Sequence, residues 1–580
     1  MDPSRSKATV RSSNPPSRRN PLLFVALLAL LVISLIAGLG MRQPSPPDEP
    51  RFVLAARTMV ETGQWLLPHR GSELYAEKPP VFMWMQAAAY KVVGTWEVAF
   101  LLPSLLAALL TLWLTWDLSR RLWNHRIARY AVLALFVCVQ FGLMAKRAQI
   151  DMVLVAMTTL SLWGLLRHLL RGPDWRALAI GAFAAGLGTV TKGVGFLPLL
   201  VLLPWLAWCW RQPRAAGPGR NWRWWLLLPM FIAGAAVWLA PLGIALLQSQ
   251  DPTLHSYAHE LLFKQTGTRY AAAWHHHQPA WYYLQVIATL WLPGCLLLPW
   301  LLPVWWRRCR RLDPRYVLLL GWALLVLLFF SFSPGKREVY IFPMLPALAI
   351  AAAPLLPGLL RRTGVQWVLL AYVAVLGAAT LALGIDALTA GGWAQRNALR
   401  RAIDPSVLPQ LGSWLLGFGI AALALVAMMR LRRAGLAAVL ATALLWGMYG
   451  LGLMPILDPY SSASAVMGKV QARIGPDAEL GMVAWREQNL LQARPRAVDF
   501  GFKRPLSEQW QDASRWLAAD PQRRWLFVQD TAMSPCVDPA QVIDIGIANR
   551  NRWQLLPGVA MRAGCQADVA DTDTGDTDGD

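Results

Sequence analysis

Charge is scarce in this chain: only 15% of its 580 residues are Asp, Glu, Lys or Arg, whereas a soluble globular protein is nearer a quarter. Acids are the rarer sign, 33 against 55 basic residues. No Walker A loop and no Gly-x-Gly-x-x-Gly turn after a strand is found, which removes the basis for an ATP-driven pump. Cysteine is also sparse, with six residues and no zinc-type spacing. Cys138, Cys209, Cys295 and Cys309 fall in or beside apolar blocks and read as packing residues. Cys536 and Cys565 share a polar C-terminal region, where a disulfide and two free thiols are equal expectations.

Apolar residues are abundant, at 56%, and they come in long blocks. A bilayer crossing takes about 20 consecutive apolar residues. Thirteen blocks qualify: 21–40, 99–118, 130–146, 152–168, 177–191, 194–210, 225–247, 281–304, 316–333, 340–358, 366–389, 411–429 and 435–455. The net charge of +22 is not a nucleic-acid footprint, because its Arg clusters (Arg120, Arg121, Arg126; Arg211, Arg214; Arg307, Arg308, Arg310, Arg311; Arg430, Arg432, Arg433) sit in alternate short loops. That is the positive-inside pattern. It predicts a cytoplasmic basic N-terminus at 1–20, an uncleaved first span, a transmembrane domain over 21–455 and a C-terminal region outside.

The first outer loop, 41–98, contains two amphipathic stretches, 51–62 and 80–93, expected to lie along the interface as helices. From about Asp458 the composition turns soluble. Strand-like WLFVQD and VIDIGI flank no long apolar block, and a helix-like stretch covers 506–519, so residues 456–567 predict a small α/β domain. The acidic tail 568–580 is too poor in apolar residues to fold.

Ionisable residues collect on one side of this layout. Asp48, Glu49 and Arg51 follow the first span, and Tyr75, Glu77 and Lys78 precede Pro79-Pro80. Asp151 stands behind Lys146 and Arg147; Arg269, Lys336, Arg337 and Tyr340 come later. Charges at membrane depth are costly unless paired or facing a cavity. A pocket holding a carboxylate and several cations suits one chemistry. An acid accepts the proton of an attacking hydroxyl, and fixed cations stabilise a departing phosphate.

Two segments, DEPRFVLAARTMVETGQWLLPH and YAEKPPVFMWMQAAAYKVVG, resemble the first outer loop of bacterial GT-C membrane glycosyltransferases, specifically the 4-amino-4-deoxy-L-arabinose lipid A transferases and the related protein O-mannosyltransferases of the glycosyltransferase family 39/83 type. RAQIDM, HHQPAWYY and SPGKREVYIFPMLPALAI extend the match through the tenth span. The resemblance implies a polytopic all-α enzyme of the inner membrane with an outer, periplasmic α/β domain. The donor would be undecaprenyl-phosphate sugar, the acceptor lipid A or another envelope group, and transfer would be inverting. It makes Asp48 the base or acceptor-orienting acid, with Glu49 and Asp151 as further catalytic acids. Arg51, Lys78, Arg269 and Lys336 would bind the carrier phosphate, and Tyr75 and Tyr340 would line the donor site. Glu77 matches a metal position of some relatives; Lys264 replaces their His, which leaves His255 and His259 as substitute ligands for a divalent metal. No other cofactor is implied. His275, His276 and His277 read as an interfacial polar turn.

The residues alone also admit a transporter or lipid flippase, which would show repeated broken helices near the membrane midplane, and an envelope scaffold with the C-terminal domain as its docking module.

Overall fold

The computed structural model describes residues 21–213, 221–261, 278–389, 391–493, 497–562 and 565. Arg269, Lys264 and His275 to His277 lie outside these residues. The chain is mostly helical. Seven described helices are long and apolar enough to cross a bilayer: Trp96–Leu122, Ile150–Arg171, Trp222–Gln248, Pro314–Phe332, Thr363–Leu388, Pro405–Met429 and Leu431–Ser461. Two further spans are bent pairs, His125–Phe136 with Val139–Ala145 at 74° and Tyr282–Leu290 with Gly294–Arg310 at 102°. Counting each pair as one span gives up to nine among the described residues.

The other four predicted blocks are helical but shorter or interrupted. Leu22–Ile36 and Leu197–Arg211 are short apolar helices. Block 340–358 is broken into Met344–Ala352 and Leu356–Leu359, with Pro343, Pro354 and Pro357 beside the breaks. Block 177–191 is one helix, Trp175–Lys192, whose Gly, Ala and Thr residues exchange hydropathy for close approach.

That approach is visible at one crossing. A methyl group on Gly186 would lie 1.9 Å from the Phe231 carbonyl oxygen, and one on Gly234 would lie 2.1 Å from the Phe183 carbonyl oxygen. Two backbones meet directly there, as small residues permit within membranes. This packing matters for the site, because Lys192 ends the same helix.

Helices Glu49–Thr62 and Val81–Val93 form as predicted, with a left-handed glycine ending each at Gly63 and Gly94. Glu49–Thr62 is packed largely inside the protein. Ten of its residues, from Glu49 through Ala56 with Thr58 and Met59, are buried. Helix Glu487–Gln492 of the C-terminal domain covers one face, where Arg57 Nη1 donates to the Leu491 carbonyl at 3.1 Å. The amphipathic pattern was real, but its polar face meets protein. Between the two loop helices runs a small hairpin of β1 (His69–Arg70) and β2 (Glu73–Leu74).

Beyond Ser461 the chain forms an α/β unit. Its sheet contains β3 (Glu479–Val483), β4 (Val498–Asp499), β5 (Arg524–Gln529), β6 (Ile543–Ala548) and β7 (Asn551–Pro557), in the order β4-β3-β5-β7-β6. β3 is parallel to β4 and β5; β7 runs antiparallel to β5 and β6. Helix Leu506–Ala519 buries Leu506, Trp510 and Leu517 against Leu526, Val528 and Leu556. Cys536 and Cys565 are joined by a disulfide across 29 residues of sequence.

Replacing Gly186 with Leu must separate two backbones and should cost more than about 3 kcal/mol. We expect loss of monodisperse protein on size exclusion and a lowered melting temperature; wild-type behaviour would refute the crossing.

Candidate active site

Two adjacent acids at the start of helix Glu49–Thr62 have separate tasks. Glu49 is buried, and its Oε2 and Oε1 accept from Arg42 Nη1 at 2.5 Å and Nη2 at 2.7 Å. Oε2 also accepts from Ser45 N at 2.9 Å, and Oε1 from Ala148 N at 2.8 Å. Burial raises its pKa, but Arg42 and these amides outweigh burial and leave it below the ordinary value. With both oxygens engaged, Glu49 ties the first loop to the turn at 146–149.

Asp48 faces the other way. Its Oδ2 accepts from Arg337 Nη2 at 3.3 Å and from Gln149 Nε2 at 3.2 Å, and its side chain keeps 18% exposure. Burial raises its pKa, yet Arg337, Arg51, Lys192 and Lys78 together hold the carboxyl below its usual range. Asp48 is therefore an anion set among cations that come from four separate parts of the chain.

Asp151 begins helix Ile150–Arg171 and is ion-paired with Lys192. The Lys192 ammonium sits 5.5 Å from the centre of the Tyr340 ring, so Asp151, Lys192 and Tyr340 form one group. The expected cation Lys336 is placed differently. It is buried and donates to the carbonyls of Ser333 at 2.8 Å and Gln278 at 3.2 Å. Its neighbour Arg337 is the residue that meets Asp48. Of two adjacent cations in one turn, the backbone presents only the second to the site.

A second cluster adjoins the first through Arg51. Glu77 accepts from Lys503 at 2.9 Å and lies 3.4 Å from Arg70 and 3.6 Å from Arg51. Arg51 Nε donates to Glu487 Oε1 at 3.0 Å, and Arg70 Nη1 to the same oxygen at 3.3 Å. Burial pushes the Glu77 pKa up, while Arg51, Arg70 and Lys503 prevail and lower it to about 2. Tyr75 is buried beside Arg70, and its hydroxyl has no hydrogen-bond partner among the described residues. Burial pushes the phenol's pKa up, so it remains a proton donor. Lys78 Nζ donates to the Glu77 carbonyl at 3.2 Å.

The expected metal set does not assemble among the described residues. Three cations face Glu77, which disfavours a divalent ion, and His255 directs Nε2 at the Ser249 carbonyl, 3.1 Å away. No three His, Cys, Asp or Glu side chains gather in metal-binding geometry among the described residues, His259 included. Sequence reasoning missed Lys192, Gln149, Arg70, Glu487 and Lys503. Lys192 alone left a trace, in the TKG between two apolar blocks.

The Glu77 cluster carries a pH signature. The carboxyl's pKa falls from 4.5 to about 2 on folding, so its pairing stabilises the fold above pH 4.5 and that contribution fades as pH drops towards 2. Glu77→Gln should therefore cost about 3 kcal/mol at neutral pH by leaving buried cations unpaired. In thermal melts the gap to wild type should close on acidification through that window; a gap independent of pH would contradict the pairing.

The family described as dolichyl-phosphate-mannose-protein mannosyltransferase matches residues 77–212. An undecaprenyl phosphate-alpha-4-amino-4-deoxy-L-arabinose arabinosyl transferase from Pseudomonas savastanoi is 29% identical over 424 residues, 67% of this chain and 76% of that protein. Transferase 1 of that name from Pseudomonas fluorescens is 30% identical over 405 residues, 64% of this chain and 68% of its own length. The crystal structure of ArnT from Cupriavidus metallidurans bound to undecaprenyl phosphate superposes with a TM-score of 0.68 at 22% identity, covering 94% of this chain and 99% of that one. Its fold is therefore the fold seen here, and with the identity spanning two thirds of the Pseudomonas fluorescens protein, this chain belongs to the family of undecaprenyl phosphate-alpha-4-amino-4-deoxy-L-arabinose arabinosyl transferases, multi-pass membrane glycosyltransferases.

Proposed function

We propose that this chain transfers 4-amino-4-deoxy-L-arabinose from undecaprenyl phosphate to lipid A at the periplasmic face of the bacterial inner membrane. The observation that carries the reading is the convergence on Asp48 of Arg337, Arg51, Lys192 and Lys78. An acceptor oxygen attacks the anomeric carbon, the bond to the carrier phosphate breaks, and that phosphate leaves with the electron pair. The acceptor's proton, where it has one, passes to Asp48. In this reading Arg51 and Lys78 hold the phosphate, with Arg269 joining them on the resemblance. The Tyr75 hydroxyl, without a hydrogen-bond partner among the described residues, is a ready donor to a phosphate oxygen.

Alone among cations, Asp48 is a weak base and best suited to orienting the acceptor. A docked phosphate offsets those cations and lifts the carboxyl back towards its ordinary range, so base strength rises once the donor is bound. Asp151, held by Lys192, orients the acceptor side.

The topology fits a cytoplasmic N-terminus and thirteen crossings, reached when the short helices Leu22–Ile36 and Leu197–Arg211, the helix Trp175–Lys192 and the broken Met344–Leu359 segment are added to the nine longer spans. The Cys536–Cys565 disulfide supports an oxidising surround for the C-terminal domain, hence the periplasm. The gathering of charge at one end of the spans supports an enzyme over a flippase, whose site would lie near the midplane.

Purified protein incubated with undecaprenyl-phosphate aminoarabinose and lipid A should yield modified lipid A by mass spectrometry. Asp48→Asn should lower the rate by about a hundredfold or more while the protein inserts and melts normally. Full activity in that variant, or modification of protein hydroxyls in place of lipid A, would overturn the corresponding part of the reading.

A further inference from the structure

We propose that the C-terminal domain forms one wall of the donor site, and that Glu487 is a positioning residue that sets where Arg51 and Arg70 point. The inference rests on the function proposed above and adds a region outside the matched family segment, which ends at residue 212.

Charge balance is the first argument. Glu487 is 5% exposed, and one of its oxygens holds both guanidiniums, across 436 residues of sequence to Arg51 and 417 to Arg70. With Lys503, the same domain also sends a cation to Glu77. Arg51, Arg70 and Lys503 against Glu77 and Glu487 leave a single net positive charge. Without the Glu487 carboxylate, two buried guanidiniums and the exposed Lys503 would compete for Glu77, and Arg51 would be drawn away from the phosphate towards that acid.

The second argument is a reciprocal grip on the β1–β2 hairpin. The Asp499 carboxylate accepts from Ser72 Oγ at 2.6 Å and from Ser72 N at 3.1 Å. In return the Glu73 carboxylate accepts from Lys503 N at 3.1 Å. Each carboxylate occupies the space a side chain would need at a glycine of the other loop. A methyl group on Gly71 (φ +66°) would lie 2.9 Å from Asp499 Oδ2, and one on Gly501 (φ +98°) 2.6 Å from Glu73 Oε1. Arg70 stacks on Phe502, 3.8 Å from the ring centre. The hairpin leads straight into Tyr75, Glu77 and Lys78, so the grip fixes the register of the segment that meets the donor. A domain that served only to dock partners would need none of these contacts.

The test uses full-length protein in nanodiscs carrying Glu487→Gln or Asp499→Asn. Glu479→Gln serves as control, an exposed acid paired with Arg524 and remote from the grip. Three quantities are read: donor KM and kcat for sugar transfer, binding of undecaprenyl phosphate alone, and the melting temperature. Glu487→Gln should raise donor KM and weaken undecaprenyl phosphate binding by about tenfold, with kcat changed less than about threefold. Asp499→Asn should shift both in the same direction by less, and Glu479→Gln should match wild type. Wild-type KM and lipid binding in both grip variants would overturn the proposal, as would a fall in kcat alone. Binding losses that merely track lowered melting temperatures in both variants would also overturn it, by marking the contacts as structural. Wild type that binds undecaprenyl phosphate without transferring sugar would instead sink the proposed reaction, while the binding measurement still decides the role of Glu487.

Discussion

The arrangement depends on one buried carboxylate whose two oxygens are both engaged. Glu49 holds Arg42 with both oxygens and also accepts from the Ser45 and Ala148 amides. Two loops separated by 99 residues are thereby fastened at a single point. Asp48 precedes that point on one loop, and Gln149 and Asp151 follow it on the other. Their proximity is a geometric result of the fastening. A charge taken out of water must be fully satisfied or it is destabilising, so the anchor is strong only because all its partners are present. The cost of burial is met by Glu49, which leaves Asp48 partly exposed and open to a ligand.

The same balance governs the second cluster, where acids and cations from the first loop and the C-terminal domain neutralise one another almost completely. Neither half would be stable in isolation at this burial. The match to the mannosyltransferase family over residues 77–212 includes Glu77, Lys78, Asp151 and Lys192, but neither Asp48 nor any of the C-terminal domain. The shared segment thus carries part of the charged constellation, and the rest is supplied from both sides of it.

Much of the architecture could be read from residues alone because membrane helices and amphipathic strands write their periods locally. The apolar blocks, the strands around WLFVQD and VIDIGI and the helix over 506–519 all follow from composition and periodicity. Burial of helix Glu49–Thr62 was not legible, since a polar face meant for solvent and one meant for another domain look alike in sequence. Asp48 and Glu49, like Lys336 and Arg337, are neighbours of similar character whose tasks are separated only by the direction of the backbone. Glu487 and Lys503 were invisible for another reason: their partners lie more than four hundred residues away, and nothing near them marks the pairing.

That separation bears on how the protein is made. A ribosome delivers Arg51 and Arg70 long before it delivers Glu487, with every intervening span still to be threaded into the bilayer. During that interval the two guanidiniums lack their final counter-ion, and the hairpin that carries them lacks its clasp. The charges of the hairpin are therefore balanced, and its clasp closed, only after Glu487, Asp499 and Lys503 have been made and their domain has folded.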